Sequence, residues 1–230
     1  MILSCKNVTL GYDGRAVVSG VDFTVEAGDR LCVVGENGSG KSTLVKGMLG
    51  LLKPMSGMFE YAGRCRAGYM PQHTAARRDF PASVREVVMS GLAGGLRPFY
   101  TKSDREKAAA CMDMAEISER ARVSYRDLSG GQKRRVLLAR ALCAASGQDG
   151  DALLFLDEPE AGLDPGMTAS MYELLLKLNA ERGVTLVMIT HDIGGALEFG
   201  TKILHLSDGG IFFGTPSQFG ESGHGGRRHA

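Results

Sequence analysis

The sequence predicts an α/β protein with a mixed, mainly parallel sheet, an N-terminal antiparallel β subdomain and an inserted α-helical subdomain. Three observations predict it. Two alternating apolar segments open the chain, Ile2–Leu10 and Val17–Val25, with a turn at Gly11-Tyr12-Asp13-Gly14 between them, the pattern of paired strands. Further on, the buried-strand candidates Ala152–Leu156 and Thr185–Thr190 flank a helical segment, Met167–Ala180, and such βαβ alternation implies a parallel sheet. Between Ser83 and about Ala145 the apolar spacing is helical throughout, so this stretch reads as an insertion.

The remaining elements follow in order. Arg30–Val34 is a short apolar run of buried-strand type, and Ser42–Leu49 has helical spacing. Gly57–Tyr61 and Gly68–Met70 add two short strands. In the helical stretch, Ser83 caps a helix with Glu86 three residues later. Ser103-Asp104-Arg105-Glu106 opens another, with Ala108, Cys111, Met112 and Ala115 on one side. From Gly220 the chain is glycine-rich and has the composition of a solvated, disordered tail, in which His224 and His229 read as solvated and not as metal ligands. The expected division is one domain over 1–219, with a helical subdomain over about 83–145, and a tail over 220–230.

Composition narrows the class. At 230 residues, 43% of them hydrophobic, the chain can bury one substantial core and a subdomain. A net charge of +1 argues against general attraction to nucleic acid or lipid. The five cysteines (Cys5, Cys32, Cys65, Cys111, Cys143) are odd in number and form no Cys-x-x-Cys pair, so they read as reduced thiols of an intracellular enzyme. No secretory leader pattern opens the sequence. Apolar runs such as Ala152–Leu156 are far too short to span a bilayer, so any membrane role comes through a partner.

The chemistry lies in three motifs. Gly35-Glu36-Asn37-Gly38-Ser39-Gly40-Lys41-Ser42 fits G-x-x-x-x-G-K-[ST] at every required position, between a strand and a helix as the motif needs. A chance match in such a chain is on the order of one per cent, so a plain glycine-rich turn is the weaker reading and the core is of phosphate-loop NTPase type. Glycines let successive N–H groups turn toward phosphate oxygens, and the helix N-terminus adds partial positive charge. Lys41 then reaches the β- and γ-phosphates, Ser42 ligates magnesium, and Thr43 follows in the same helical turn. Second, the apolar run Leu153–Leu156 ends in Asp157-Glu158-Pro159. Alone this is equally an ordinary strand end. Beside a phosphate loop, Asp157 holds magnesium and Glu158 orients and deprotonates an attacking water. Third, Ser129-Gly130-Gly131-Gln132 fits a capping box ahead of a helix over Lys133–Ala145, and its hydroxyl and glycine N–H groups make a second anion site. The basic run Lys133-Arg134-Arg135 reads as solvated helix surface.

Together these residues resemble the nucleotide-binding subunits of ABC transporters, over nearly all of the chain up to about Phe219. Gly35–Ser42 looks like Walker A, Ala152–Glu158 like Walker B, and Leu128–Gln132 like the ABC signature that other phosphate-loop enzymes lack. The resemblance implies that Tyr12 stacks on adenine and that Gln72 joins the magnesium site to the helical subdomain. It also makes Asp164, in Gly162-Leu163-Asp164, the D-loop aspartate and His191 the switch histidine that contacts the γ-phosphate. It further implies a head-to-tail dimer in which ATP held by one Walker A is capped by Ser129, Gly130, Gly131 and Gln132 of the second ATP-binding subunit. Integral membrane permeases, an extracytoplasmic substrate-binding protein and a place on the cytoplasmic face of the membrane complete the implied system. Phe80–Val88, Ile203–Leu206 and Phe212–Pro216 are similar to importers of zinc, manganese or iron, with siderophore and cobalamin importers as the alternative cargo class. The cargo passes through the permease, so His205 is expected to be a packing residue. A non-transport ABC ATPase acting on DNA or ribosomes, or a nucleotide kinase, is the alternative from another class; the first would bring a coiled-coil insertion or tandem cassettes, and the second leaves the signature unexplained. Three departures stand out: Glu160 adds a charge near the catalytic edge where the family usually has a small hydroxyl residue, Lys133 replaces a common glutamine, and the 145–151 loop is longer than usual.

Overall fold

The computed structural model describes residues 1–63, 65–72, 81–92, 99–146, 152–207 and 210–222. Phe80, most of the long loop at 145–151, and the tail with His224 and His229 therefore lie outside the described residues. In chain order the elements begin with β1 (Leu3–Tyr12), β2 (Arg15–Val25), β3 (Arg30–Val34), α1 (Lys41–Met48), β4 (Ser56–Tyr61), β5 (Arg66–Met70), α2 (Val84–Met89) and α3 (Lys102–Met114). They continue with α4 (Gly130–Ala145), β6 (Ala152–Asp157), α5 (Pro165–Arg182), β7 (Thr185–Ile189), α6 (Ile193–Phe199), β8 (Lys202–Ser207), β9 (Gly210–Gly214) and α7 (Pro216–Glu221). They fall into two compact units, Met1–Cys65 with Thr185–Ala230, and Arg66–Val184.

In the first unit, β1 lies between β2 and β4 and is antiparallel to both, with Val8 opposite Val21 and Cys5 opposite Phe59. This is the expected N-terminal antiparallel sheet. A second set of strands runs β7-β3-β8-β9, parallel apart from β9. The apolar runs of β3 and β7 are buried on both faces, as parallel strands require. Val33 pairs with Ile189 and Val34 with His205, so the chain leaves β3 at Gly35 and β7 at Thr190 on the same carboxyl edge. His205 is buried with its ring edge-on to Phe219, the packing role expected of it. Thr215 and Gln218 form a capping box for α7, and buried Phe219 anchors it. Gly220 and Glu221, expected in the disordered tail, are therefore helical.

In the second unit, β5 and β6 run parallel with Met70 opposite Leu156. Helix α4 packs on β5, α2 and α3 through the buried side chains Val136, Leu137, Leu138, Ala141, Leu142 and Cys143. Ser83 and Glu86 make the expected capping box. The start of α3 differs from expectation: Thr101, not Ser103, is the cap, and Asp104 completes the reciprocal box. Both T-x-x-D and S-x-x-E satisfy the same local rule here, and the earlier pair adds residues to the helix. Helix α5 begins with an Asp164 cap and Pro165 and ends at Gly183 in the left-handed conformation (φ 64). All five cysteines are unbridged.

Candidate functional site

The phosphate-loop motif sits where its chemistry needs it. It connects the buried end of β3 to the N-terminus of α1, and its exposed tip is Glu36-Asn37-Gly38. Two glycines are structurally obligatory. A Cβ at Gly35 would run into the Leu206 carbonyl oxygen, and one at Gly40 into the Val18 side chain, while Gly40 also holds φ 93 at the helix cap. No side chain caps this helix, so its first N–H groups remain for an anion. Lys41 is only 7% exposed and donates from Nζ to the carbonyls of Gly35 and Glu36, both at 2.7 Å. Ser39 Oγ is buried with no hydrogen-bond partner among the described residues. A buried hydroxyl left over inside a ring of N–H groups fits a phosphate oxygen. Ser42 is exposed on the first turn of α1, and Thr43 is buried in it.

Two further predicted residues stand in the same unit. Tyr12 ends β1 with 43% of its surface exposed, and the Lys46 ammonium lies 5.9 Å from its ring centroid. An exposed aromatic face beside a lysine suits a stacked base. His191 is exposed just beyond β7, after buried Thr190, whose Oγ1 accepts from the Asp192 N–H at 3.0 Å. Asp192 in turn caps α6.

The acids and the Q-loop glutamine lie together in the second unit. Parallel pairing of β5 with β6 brings Gln72 alongside the Asp157-Glu158 end, and Gln72 Nε2 donates a short hydrogen bond to Glu158 Oε2. Tyr69 donates its hydroxyl to Asp157 Oδ2 at 3.1 Å. Burial, reinforced by the Asp157 carboxylate, pushes the Tyr69 phenol well above its ordinary range, so it remains a donor. Glu158 has φ 45, a left-handed conformation that costs a glutamate and persists only where the surroundings impose it. Within this unit Gln72 and Asp157 carry hard oxygen donors of the kind that suits magnesium, and Ser42 on α1 of the first unit carries a hydroxyl of the same type.

The signature loop is a second helix N-terminus of different construction. Ser129 Oγ accepts from the Gln132 N–H at 3.3 Å, and Gln132 Oε1 accepts from the Ser129 N–H at 3.0 Å. Ser129 and Gly130 are exposed, and a Cβ at Gly130 would meet nothing within 4 Å. Asp164, at the head of α5, is exposed and accepts from the Met167 N–H at 2.8 Å.

The basic run after the signature is not solvated surface. Arg134 is 8% exposed and donates to the Ala161 carbonyl at 2.8 Å and the Pro71 carbonyl at 3.4 Å. Arg135 pairs with Glu116 at 2.7 Å and reaches Ser170 Oγ at 2.8 Å. Lys133 donates to the Arg126 carbonyl at 3.1 Å. A signal was available: Arg134 stands three, four and seven residues before Leu137, Leu138 and Ala141, on the apolar face of α4. Burial lowers the Arg134 pKa, and Glu160 is the charge that opposes this most. The extra carboxylate at Glu160 thus favours the charged form of a buried arginine.

Comparison with known proteins gives the family. The ABC transporter family profile matches residues 18–161. The manganese transport system ATP-binding protein MntB of Bacillus subtilis is 38% identical, over 90% of this chain and 84% of its own. The zinc uptake system ATP-binding protein ZurA of Listeria innocua is 33% identical, over 95% and 87%. Among solved structures, an ATP-binding cassette captured as a dimer in a post-hydrolysis state with ADP and Pi superposes with a TM-score of 0.76 at 27% identity, covering 94% of this chain and 99% of the other.

Proposed function

We propose, since this chain belongs to the ABC transporter family as an ATP-binding subunit, that its ATPase activity drives import of zinc or manganese through a membrane permease. One observation carries the transport-motor reading: the capped helix N-terminus within Leu128–Gln132 is exposed at Ser129 and Gly130, where a second nucleotide can approach. The metal cargo rests on the relatives, which serve manganese and zinc systems. Among the described residues no helix is long and apolar enough to cross a membrane. In the system proposed, the permease supplies the path and this subunit sits on its cytoplasmic face. A second copy of the chain and an extracytoplasmic binding protein complete the system.

The residues take these roles. Gly35–Thr43 hold the phosphates, Lys41 transferring its two donated bonds from the loop carbonyls to the β- and γ-oxygens. Tyr12 stacks on the base. Ser42, Gln72 and Asp157 would hold magnesium, which when bound would neutralise phosphate charge. Gln72 spends Nε2 on Glu158, leaving its carbonyl oxygen as the ligand atom. Glu158 takes the proton of the attacking water, and His191 contacts the γ-phosphate. Ser129–Gln132 and Asp164 serve the nucleotide of the partner copy.

The test is cellular metal content in a deletion strain under zinc and then manganese limitation, complemented with wild type or Glu158→Gln. Depletion of one metal, restored by the wild type alone, is the expected result and names the cargo. Normal metals throughout would discard the metal reading and direct attention to siderophores and cobalamin.

A further inference from the structure

We propose that Arg134 is a positioning residue for ATP hydrolysis: from the second turn of α4 it braces the two loops that present Gln72 and Glu158. The inference rests on Glu158 being the base. Pro71, whose carbonyl Arg134 holds at 3.4 Å, immediately precedes Gln72. Ala161, whose carbonyl it holds at 2.8 Å, closes the turn that begins at Glu158, since the Ala161 N–H donates to the Glu158 carbonyl at 3.0 Å. Gln72 and Glu158 are themselves hydrogen-bonded, so the guanidinium completes a ring of contacts around the proposed base. The left-handed backbone of Glu158 (φ 45) needs such over-determination to persist.

Arginine suits this task for a geometric reason. Its planar fork presents donors in two directions at once, whereas a lysine ammonium is a compact point charge on a flexible stem. Burial of the cation demands a counter-charge, and Glu160, two residues beyond Glu158, acts on it more strongly than Asp157 or Glu158. Glu160 thus offsets the cost of burying the cation, while the arginine fixes the loops through its two carbonyl contacts.

The experiment is steady-state ATP hydrolysis by the full chain as wild type, Arg134→Lys, Arg134→Gln and Glu158→Gln, with ATP binding and Tm measured on each. Arg134→Gln retains a donor for one carbonyl, so a folded variant is available if lysine is not tolerated. The expected result is a fall in kcat of about ten- to a hundredfold for Arg134→Lys and Arg134→Gln, with KM for ATP within about twofold of wild type and the fold retained at the assay temperature. Wild-type kcat in either folded variant, or a loss appearing in KM alone, overturns the inference. Glu158→Gln separates the two levels: if it hydrolyses normally, the assignment of the base fails, whereas if it is inactive while the Arg134 variants are normal, only the positioning role fails.

Discussion

The chain contains two helix N-termini fitted for anions, and they are built on opposite plans. At α1 the cap is a left-handed glycine without a side-chain bond, and Lys41 folds back into the loop, buried against two carbonyls. At α4 the cap is Ser129 in a reciprocal box with Gln132, already satisfied and exposed. The first loop depends on glycines that cannot accept a Cβ, with a lysine waiting inside. The second has an ordinary backbone, and Gly130 faces open space. The difference separates the glycines: at Gly35 and Gly40 the fold has no room for a Cβ, whereas at Gly130 it makes no such demand and leaves the space open.

The comparison can be broken in several ways, beginning with the largest effect. Lys41→Ala removes two charge-assisted donors, so ATP affinity by calorimetry should fall at least about a hundredfold and turnover with it. Wild-type affinity would mean that the α1 loop is not the cradle. Gly130→Val should fold with an unchanged Tm and bind ATP normally, yet lose about 10²–10³ in turnover, because the added side chain holds the second nucleotide off N–H donors whose loss usually costs that much. A parallel loss of binding would place both loops on one nucleotide within a single chain. Mixing inactive Lys41→Ala with inactive Gly130→Val sharpens this further, because a shared site then pairs one intact cradle with one intact cap and recovers part of the turnover. Consistent with that, wild-type hydrolysis should rise more than linearly at low protein concentration, and strict proportionality in a verified monomer would count against shared sites. The smallest effect is Ser129→Ala: loss of a cap costs about 1 kcal/mol, which shifts Tm by roughly 2–4 °C in a protein of this size. No shift would show that the box does not stabilise α4.

Much of this was legible in the residue order. The Gly35–Ser42 loop, the Ser83 and Ser129 boxes and the acidic end of β6 each depend on residues within a few positions of one another, and each lies where the pattern placed it. The strand runs were equally plain, because continuous burial leaves little but Val, Leu and Ile. Less legible was the start of α3, where two overlapping capping patterns compete and only the whole helix decides. The basic run at Lys133–Arg135 was misread because charge suggests solvent, although helical period already put Arg134 among leucines and alanines. Glu160 stands as an isolated departure in the sequence, and in the structure it is the acid that acts most strongly on Arg134, a cation carried by α4.

By itself the sequence determined the chemistry available: a phosphate cradle, a second anion cap, paired acids, and the family to which they belong. These are short-range facts, set by backbone geometry and neighbouring side chains. Tertiary structure alone decided which of these groups touch. Gln72 meets Glu158, and Tyr69 meets Asp157, because β5 pairs with β6 in one register, and a shift of one residue would turn those side chains to the opposite face. Arg134 joins them because the rotation of α4 on its neighbours buries that side chain. Strand register and helix rotation are set by the packing of the whole core, which no local pattern contains.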